Sequence, residues 1–179
     1  MIELLNTVLV VVVVWAALLD LRTRRIPNWL TLPALLLGLA MRVPLGGSAV
    51  LDGFLAAAVA FAVALPVFAL GGLGGGDVKL LAAVGAFLGL DALWGALFVA
   101  VLVAGAFAII SILRQGRAPQ TLANLYIIVK GLNRKESWTG WRGAEGDAPL
   151  TIRSAGVITR PFAVSIAAGA IYAVFPIFQ

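Results

Sequence analysis

Two of the eight acidic residues in the chain stand where a carboxylate is unusual. Asp20 directly follows the apolar run WAALL, and Asp77 follows five glycines in six positions at the start of another apolar segment. A carboxylate at such a boundary in a hydrophobic chain is a candidate for function, because its burial is costly. Two carboxyl groups held close together share a proton, so one can act as a base while the other acts as an acid. Such a pair can activate water for attack on a peptide carbonyl.

Each of these acids also has a purely structural interpretation. Asp77 could cap the start of a helix by accepting backbone N–H groups, and Asp20 could pair with a nearby arginine. The three candidate arginines are Arg22, Arg24 and Arg25. A helix cap does not explain the glycines, which let a backbone approach an extended substrate closely or adopt conformations closed to other residues. The spacing alone leaves both interpretations open.

The composition indicates the environment in which such a pair would work. The chain has 179 residues, of which 62% are hydrophobic and 12% charged, and its mean hydropathy is +1.07. Soluble domains carry about 25% charged residues, and a chain of this length cannot bury so much apolar surface in water. We therefore predict a membrane protein, an all-α bundle of about six transmembrane helices that forms a single domain over residues 1–179. The predicted spans are 4–19, 26–43, 51–70, 78–90, 92–113 and 155–178.

The distribution of basic residues predicts the orientation of the bundle. Three arginines follow the first predicted span, one lysine lies beside Asp77, and seven basic residues lie in the polar segment 114–153. With six spans these segments share one side, which the positive-inside rule makes cytoplasmic. Asp20 and Asp77 then reach the same membrane face, whereas Asp52 and Asp91 lie at outer ends of spans as interfacial or capping residues. Topology and lipid contact explain the positive charge, so we do not predict nucleic-acid binding.

Segment 114–153 is predicted to be a cytoplasmic loop within the domain. Its stretch TLANLYIIVKGL places apolar residues at helical spacing. This pattern predicts an amphipathic helix that lies on the membrane surface or packs on the ends of the bundle. The chain contains no cysteine and no histidine, and we predict no metal site and no cofactor.

Three segments together resemble a known family. The stretch GGGDVKLLAAVGAFLG (74–89) resembles the G-x-G-D signature of the type IV prepilin peptidases, which are aspartyl proteases of the membrane. The stretch DLRTRRIPNWLTLP (20–33) is similar to that family's other aspartate motif, and RPFAVSIAAGAIYAV (160–174) resembles its last helix. The resemblance covers essentially the whole chain. A single G-x-G-D would be a weak signal, but two aspartate motifs in order, in a chain of six predicted spans and this length, are a strong one.

The resemblance implies a function and a set of site residues. Asp20 and Asp77 would be the catalytic pair, and Gly74, Gly76 and Lys79 would contact the substrate. The substrate would be a prepilin, whose basic leader is cleaved after a glycine at the cytoplasmic face of the bacterial inner membrane. The chain lacks the paired C-x-x-C motifs of longer family members, so it resembles the short form associated with Flp-type tight-adherence pili. We therefore expect peptidase activity without methyltransferase activity.

Two other classes of function stay open. A proton-coupled transporter can also use intramembrane acids and helices broken by glycines, although it would more naturally hold its acids at the membrane midplane. A non-enzymatic subunit of a pilus or secretion assembly would explain the hydrophobicity but not the paired acids. Substitution of either aspartate by asparagine separates a protease from both alternatives.

Overall fold

The computed structural model describes residues 1–69, 72–114 and 162–175. A short 3₁₀ turn, Val43–Leu45, extends the second helix, and no strand occurs among the described residues. The predicted all-α class is therefore confirmed, while the helix predicted within 114–153 falls outside the described residues. The described helices are α1 (Ile2–Thr23), α2 (Asn28–Arg42), α3 (Gly47–Ala69), α4 (Gly75–Leu88), α5 (Leu90–Arg114) and α6 (Phe162–Val174).

Four helical segments are long and apolar enough to cross a membrane, in agreement with the predicted polytopic bundle. Helices α4 and α6 have 14 and 13 residues and are shorter, so the count of six spans stays a prediction. Large apolar side chains such as Trp15, Leu36 and Phe98 are more than half exposed, as expected of surfaces that lipid covers. The four long segments are Ile2–Thr23, Asn28–Leu45, Gly47–Ala69 and Leu90–Ser111.

The described residues fall into two compact units. The first contains α1 to α4, α5 as far as Ala104, and α6, whereas the second begins at Gly105 within α5. All contacts described below lie within the first unit. The predicted single domain over residues 1–179 stays a prediction.

Helix α4 lies at the centre of the first unit, in contact with α1, α2, α3 and α6. Every residue from Leu80 to Phe87 is buried, and a helix that is apolar on all sides is one that other helices enclose. Small residues allow these helices to approach closely. A Cβ at Gly85, for example, would lie 2.6 Å from the Ala56 carbonyl oxygen on α3.

At the C-terminal end of α4, a network of charged and backbone groups joins four helices. The Arg42 guanidinium of α2 pairs with the Asp52 carboxylate of α3 at 2.9 Å and donates to the Phe87 carbonyl oxygen of α4 at 3.0 Å. Arg42 also donates to the Ala49 carbonyl oxygen at 2.9 Å. Asp52 in turn accepts the Leu90 N–H, at the start of α5, at 3.1 Å. We call this network the Arg42 junction, and it satisfies backbone groups that helix ends leave unpaired.

Candidate active site

Asp20 lies in the last turn of α1 and is only 6% exposed. The carbonyl end of a helix disfavours a negative charge, so a carboxylate there needs donors from another element. The Asp20 Oδ2 atom accepts a hydrogen bond of 3.2 Å from the Ala163 N–H, in the first turn of α6. Helix α6 thus presents its positive N-terminal end to this carboxylate.

Asp77 lies in the first turn of α4. Its Oδ2 atom accepts a hydrogen bond of 3.0 Å from the Gly74 N–H, and its own N–H donates to the Gly74 carbonyl oxygen at 3.1 Å. Asp77 therefore does cap its helix, as one interpretation of the sequence allowed. The second oxygen, Oδ1, is buried and accepts no hydrogen bond from the described residues. The cap accordingly occupies only one of the two carboxyl oxygens.

The two carboxyl groups interact electrostatically. Asp77 lies outside the segments long enough to span a membrane, and burial raises its pKa from the ordinary 3.8 to about 6. The hydrogen bond from Gly74 opposes this rise in pKa, and the negative charge of Asp20 adds to it. The two carboxyls, carried by α1 and α4, therefore lie within electrostatic range of each other.

The arginines that follow Asp20 do not neutralise it. Within the described residues, neither Asp20 nor Asp77 forms an ion pair. Arg24 does contact Asp20 through the main chain: its N–H donates to the Asp20 carbonyl oxygen at 2.8 Å, and its backbone is left-handed with a φ of 52°. The sequence alternative in which an arginine pairs with the Asp20 carboxylate is therefore not observed. The exposed arginines of this turn are Arg22, Arg24 and Arg25.

Two of the other predicted site residues flank Asp77 and contact the connection between α1 and α2. A Cβ at Gly76 would lie 2.8 Å from the Ile26 carbonyl oxygen, so this close approach requires glycine. The Lys79 ammonium group donates a hydrogen bond of 2.8 Å to the side-chain oxygen of Asn28, at the start of α2. Both residues thus have partners within the protein, and their contact with a substrate stays a prediction.

Gly74, the third predicted substrate contact, is exposed directly before the helix. A Cβ there would meet only the Asp77 carboxyl group, at 3.0 Å. Among the described residues, the glycines with a positive φ are Gly46 and Gly89. The described part of the glycine run therefore uses ordinary backbone conformations, and α4 begins at Gly75, earlier than the span predicted from residue 78.

Comparison with known proteins identifies the family. Residues 7–109, more than half of the chain, match the type IV leader peptidase family. The chain belongs to this family. A region of 122 residues is 38% identical to the prepilin leader peptidase/N-methyltransferase of Myxococcus xanthus (strain DK1622). That region covers 64% of this chain and 36% of the relative, so the chain spans about a third of the relative's length. No solved structure matches the chain.

In this member of the type IV leader peptidase family, both aspartates lie within the matched residues, whereas α6 lies beyond them. Sequence reasoning missed the Ala163 donor, because a backbone N–H leaves no signal in the sequence. It also missed the role of Asn28, although the Ile-Pro-Asn motif contains this residue. A polar amide that directly follows a proline at a helix start was the available signal.

The chemistry open to this candidate site depends on its carboxyl groups. The described residues contain no group of three or more side chains that could hold a metal ion. Two adjacent carboxyls that differ in protonation can accept a proton from one atom and donate a proton to another in a single site.

Proposed function

We propose that this chain is an aspartyl endopeptidase in which Asp20 and Asp77 activate water to cleave the leader from prepilins. The observation that carries the proposal is that the Asp20 carboxyl of α1 acts electrostatically on the Asp77 carboxyl of α4, with no neutralising cation on either in the described structure. Each carboxyl is held by one backbone N–H, so both are oriented while the pair keeps its negative charge. The family match and the name of the Myxococcus xanthus relative support a prepilin as the substrate.

In the proposed reaction, the ionised carboxyl takes a proton from water while the water oxygen attacks the carbonyl carbon of the scissile bond. The protonated carboxyl donates a hydrogen bond to the carbonyl oxygen and stabilises the tetrahedral intermediate. Protonation of the amide nitrogen then lets the C–N bond break, which releases the leader and the new N-terminus of the pilin. The buried Oδ1 atom of Asp77 is the proposed contact for the water or the substrate carbonyl.

The proposed active site faces the cytoplasm at the bacterial inner membrane. The arginines that follow Asp20 are exposed beside the site, and arginines next to membrane helices favour the cytoplasmic side. Gly74, which is exposed next to Asp77, is the proposed backbone contact for the extended substrate. We also propose that these 179 residues cleave without methylating the product, since they contain no C-x-x-C motif.

The test uses the full chain in lipid nanodiscs and follows cleavage of a Flp-type prepilin by mass spectrometry. Asp20→Asn and Asp77→Asn should each lower the cleavage rate by about a hundredfold or more, since each removes one half of an acid–base pair. The matched control is Asp91→Asn, which should cleave at the wild-type rate. Asp91 is exposed in the first turn of α5 and forms no ion pair within the described residues.

Normal cleavage by either Asp20→Asn or Asp77→Asn would rule out the carboxyl pair. The absence of cleavage by the wild-type chain would favour the transporter or the assembly subunit. The mass of the product also reports whether the new N-terminus carries a methyl group, which we expect to be absent.

A further inference from the structure

The connection between α1 and α2 is short and begins four residues after Asp20. Helix α1 ends at Thr23 and α2 begins at Asn28. The Asp20 carbonyl oxygen accepts the Arg24 N–H, and the Thr23 hydroxyl donates to the Arg25 carbonyl oxygen at 2.9 Å. Hydrogen bonds therefore order the first part of this connection, between Asp20 and Arg25.

The end of this connection and the first residue of α2 contact α4 on both sides of Asp77. One residue before Asp77, Gly76 packs against Ile26 at a distance that excludes any side chain. Two residues after Asp77, the Lys79 ammonium group is bonded to the Asn28 amide oxygen at 2.8 Å. We call these two contacts the latch. Because the latch brackets Asp77, it connects the position of that carboxyl to the helix that carries Asp20.

The segment that leads into α4 contributes little to fixing its first turn. Of the four residues before Gly76, three are glycines and only Leu73 packs against the core. A Cβ at Gly75 would make an ordinary contact of 3.6 Å with Phe68. Glycine leaves the backbone more freedom than any other residue. The position of Asp77 therefore depends on what α4 contacts after it begins.

We propose that Asn28 and Lys79 are positioning residues whose hydrogen bond holds the first turn of α4, and with it Asp77, against the connection from the Asp20 helix. This inference rests on the proposed function, because it concerns how the two carboxyls are brought together. Lys79 and Asp77 are two residues apart, so their side chains face different sides of the helix. The ammonium group consequently fixes the helix without neutralising the carboxyl pair.

A positioning role and a substrate-binding role for Lys79 predict different kinetics. A positioning residue affects the chemical step, so its loss lowers kcat, and loss of its partner Asn28 has the same effect. A substrate contact affects binding, so loss of Lys79 would raise KM while loss of Asn28 would change nothing.

The kinetic test measures prepilin cleavage by the full chain in nanodiscs for Asn28→Leu, Lys79→Met and the double variant. Each single substitution should lower kcat about tenfold at unchanged KM, the scale of one hydrogen bond to a charged group. The double variant should be no slower than either single variant, since both remove the same contact. Asn28→Asp should keep a kcat near wild type, because a carboxylate also binds the Lys79 ammonium group.

Two control variants remove the same chemical groups outside the latch. Asn6→Leu removes an amide from the opposite end of α1, and Arg22→Met removes an exposed cation near the site. Neither residue forms a hydrogen bond through its side chain to another described residue. Both variants should keep the wild-type kcat and KM.

A second measurement reports on the latch without catalysis. The chain has no cysteine, so Asp20→Cys with Asp77→Cys introduces the only two thiols. Their crosslinking rate with a short bifunctional reagent reports how often the two positions meet. Adding Asn28→Leu should slow crosslinking several-fold, whereas adding Asn28→Asp should leave the rate unchanged.

If Asn28→Leu leaves kcat and the crosslinking rate unchanged, the positioning role is wrong. It is also wrong if Lys79→Met raises KM and leaves kcat unchanged. If Asn28→Leu does not fold, the same kinetic and crosslinking measurements are made on Lys79→Met. Asn28→Asp is then the folded variant with which it is compared. The proposed function fails separately, if the asparagine variants of the two aspartates still cleave. In that case the crosslinking rates still decide whether the latch holds α4.

Discussion

The two ends of α4 both use an aspartate to cap a helix, and they differ in what neutralises the charge. At the Arg42 junction, Asp52 accepts a backbone N–H and pairs with a buried guanidinium. At the other end, Asp77 accepts the Gly74 N–H in the same way, but its charge is opposed by Asp20 and paired with no cation of the described structure. Capping is therefore common to both ends. The two ends differ in that Asp52 has a cation partner and Asp77 has none among the described residues, and under the proposed function this difference leaves Asp77 available for chemistry.

Removal of the cation from the Arg42 junction should have the largest effect on stability. Arg42→Met leaves the Asp52 carboxylate and the Phe87 carbonyl oxygen without their donor. Loss of one partner from a buried ion pair costs about 3–5 kcal/mol. Because the Asp52 side chain is 41% exposed, we expect a loss of about 3 kcal/mol in the free energy of unfolding, at the lower end of that range. Equilibrium unfolding of the protein in bicelles measures this loss.

The control for this substitution is Arg22→Met, which removes an exposed arginine that has no ion pair among the described residues. Its free energy of unfolding should stay within about 0.5 kcal/mol of wild type. A similarly small change in Arg42→Met would mean that the Arg42 junction does not stabilise the end of α4. The charge pair of Asp52 would then not distinguish it from Asp77.

The Asp77 end of α4 should respond in the opposite direction, because loss of its charge should raise the free energy of unfolding. With its pKa raised to about 6, Asp77 binds its proton more tightly in the folded than in the unfolded chain. The folded protein therefore loses stability as the pH rises from about 4 to about 6, and it does not regain that stability at higher pH. Asp77→Asn keeps an oxygen that accepts the Gly74 N–H and removes the charge. The variant should be more stable than wild type by roughly 2 kcal/mol at pH 7 and equal to it near pH 4.

Unfolding measurements at these two pH values check the prediction, with Asp52→Asn as the matched substitution. Asp52→Asn should lose stability at pH 7, because it weakens the pair with Arg42. If Asp77→Asn also lost stability at pH 7, Asp77 would be an ordinary helix cap and the two ends of α4 would be alike.

The sequence predicts the long helices, and it predicts that Asp20 and Asp77 reach the same end of the bundle. Uninterrupted apolar runs identify α1, α3 and α5, and successive spans that cross in opposite directions bring Asp20 and Asp77 to one face. The start of α4 was predicted too late, because glycine is a poor helix former. In the structure the Asp77 cap and the contact of Gly76 with Ile26 outweigh that preference, and the helix includes Gly75.

Contacts between distant residues were not predictable in the same way. Asp52 was expected at an interface or a cap, but its pairing with Arg42 depends on the turn between α2 and α3, whose geometry the spacing does not define. The bond between Asp20 and the Ala163 N–H depends on where α6 begins. Hydrophobic runs define the middle of a helix better than its ends, and the donors of this site are at helix ends.

The smallest predicted effect is a difference in kcat between substitutions of two neighbouring glycines at the Asp77 end of α4. A Cβ at Gly76 would lie 2.8 Å from the Ile26 carbonyl oxygen, whereas a Cβ at Gly75 would make an ordinary contact of 3.6 Å with Phe68. A backbone oxygen cannot rotate aside as a side chain can, so Gly76→Ala must shift the first turn of α4 and the Asp77 carboxyl. We expect kcat to fall about tenfold in Gly76→Ala and to stay within about twofold in Gly75→Ala. Equal activity of the two variants would show that catalysis tolerates displacement of this turn, and that the charge alone distinguishes the two ends.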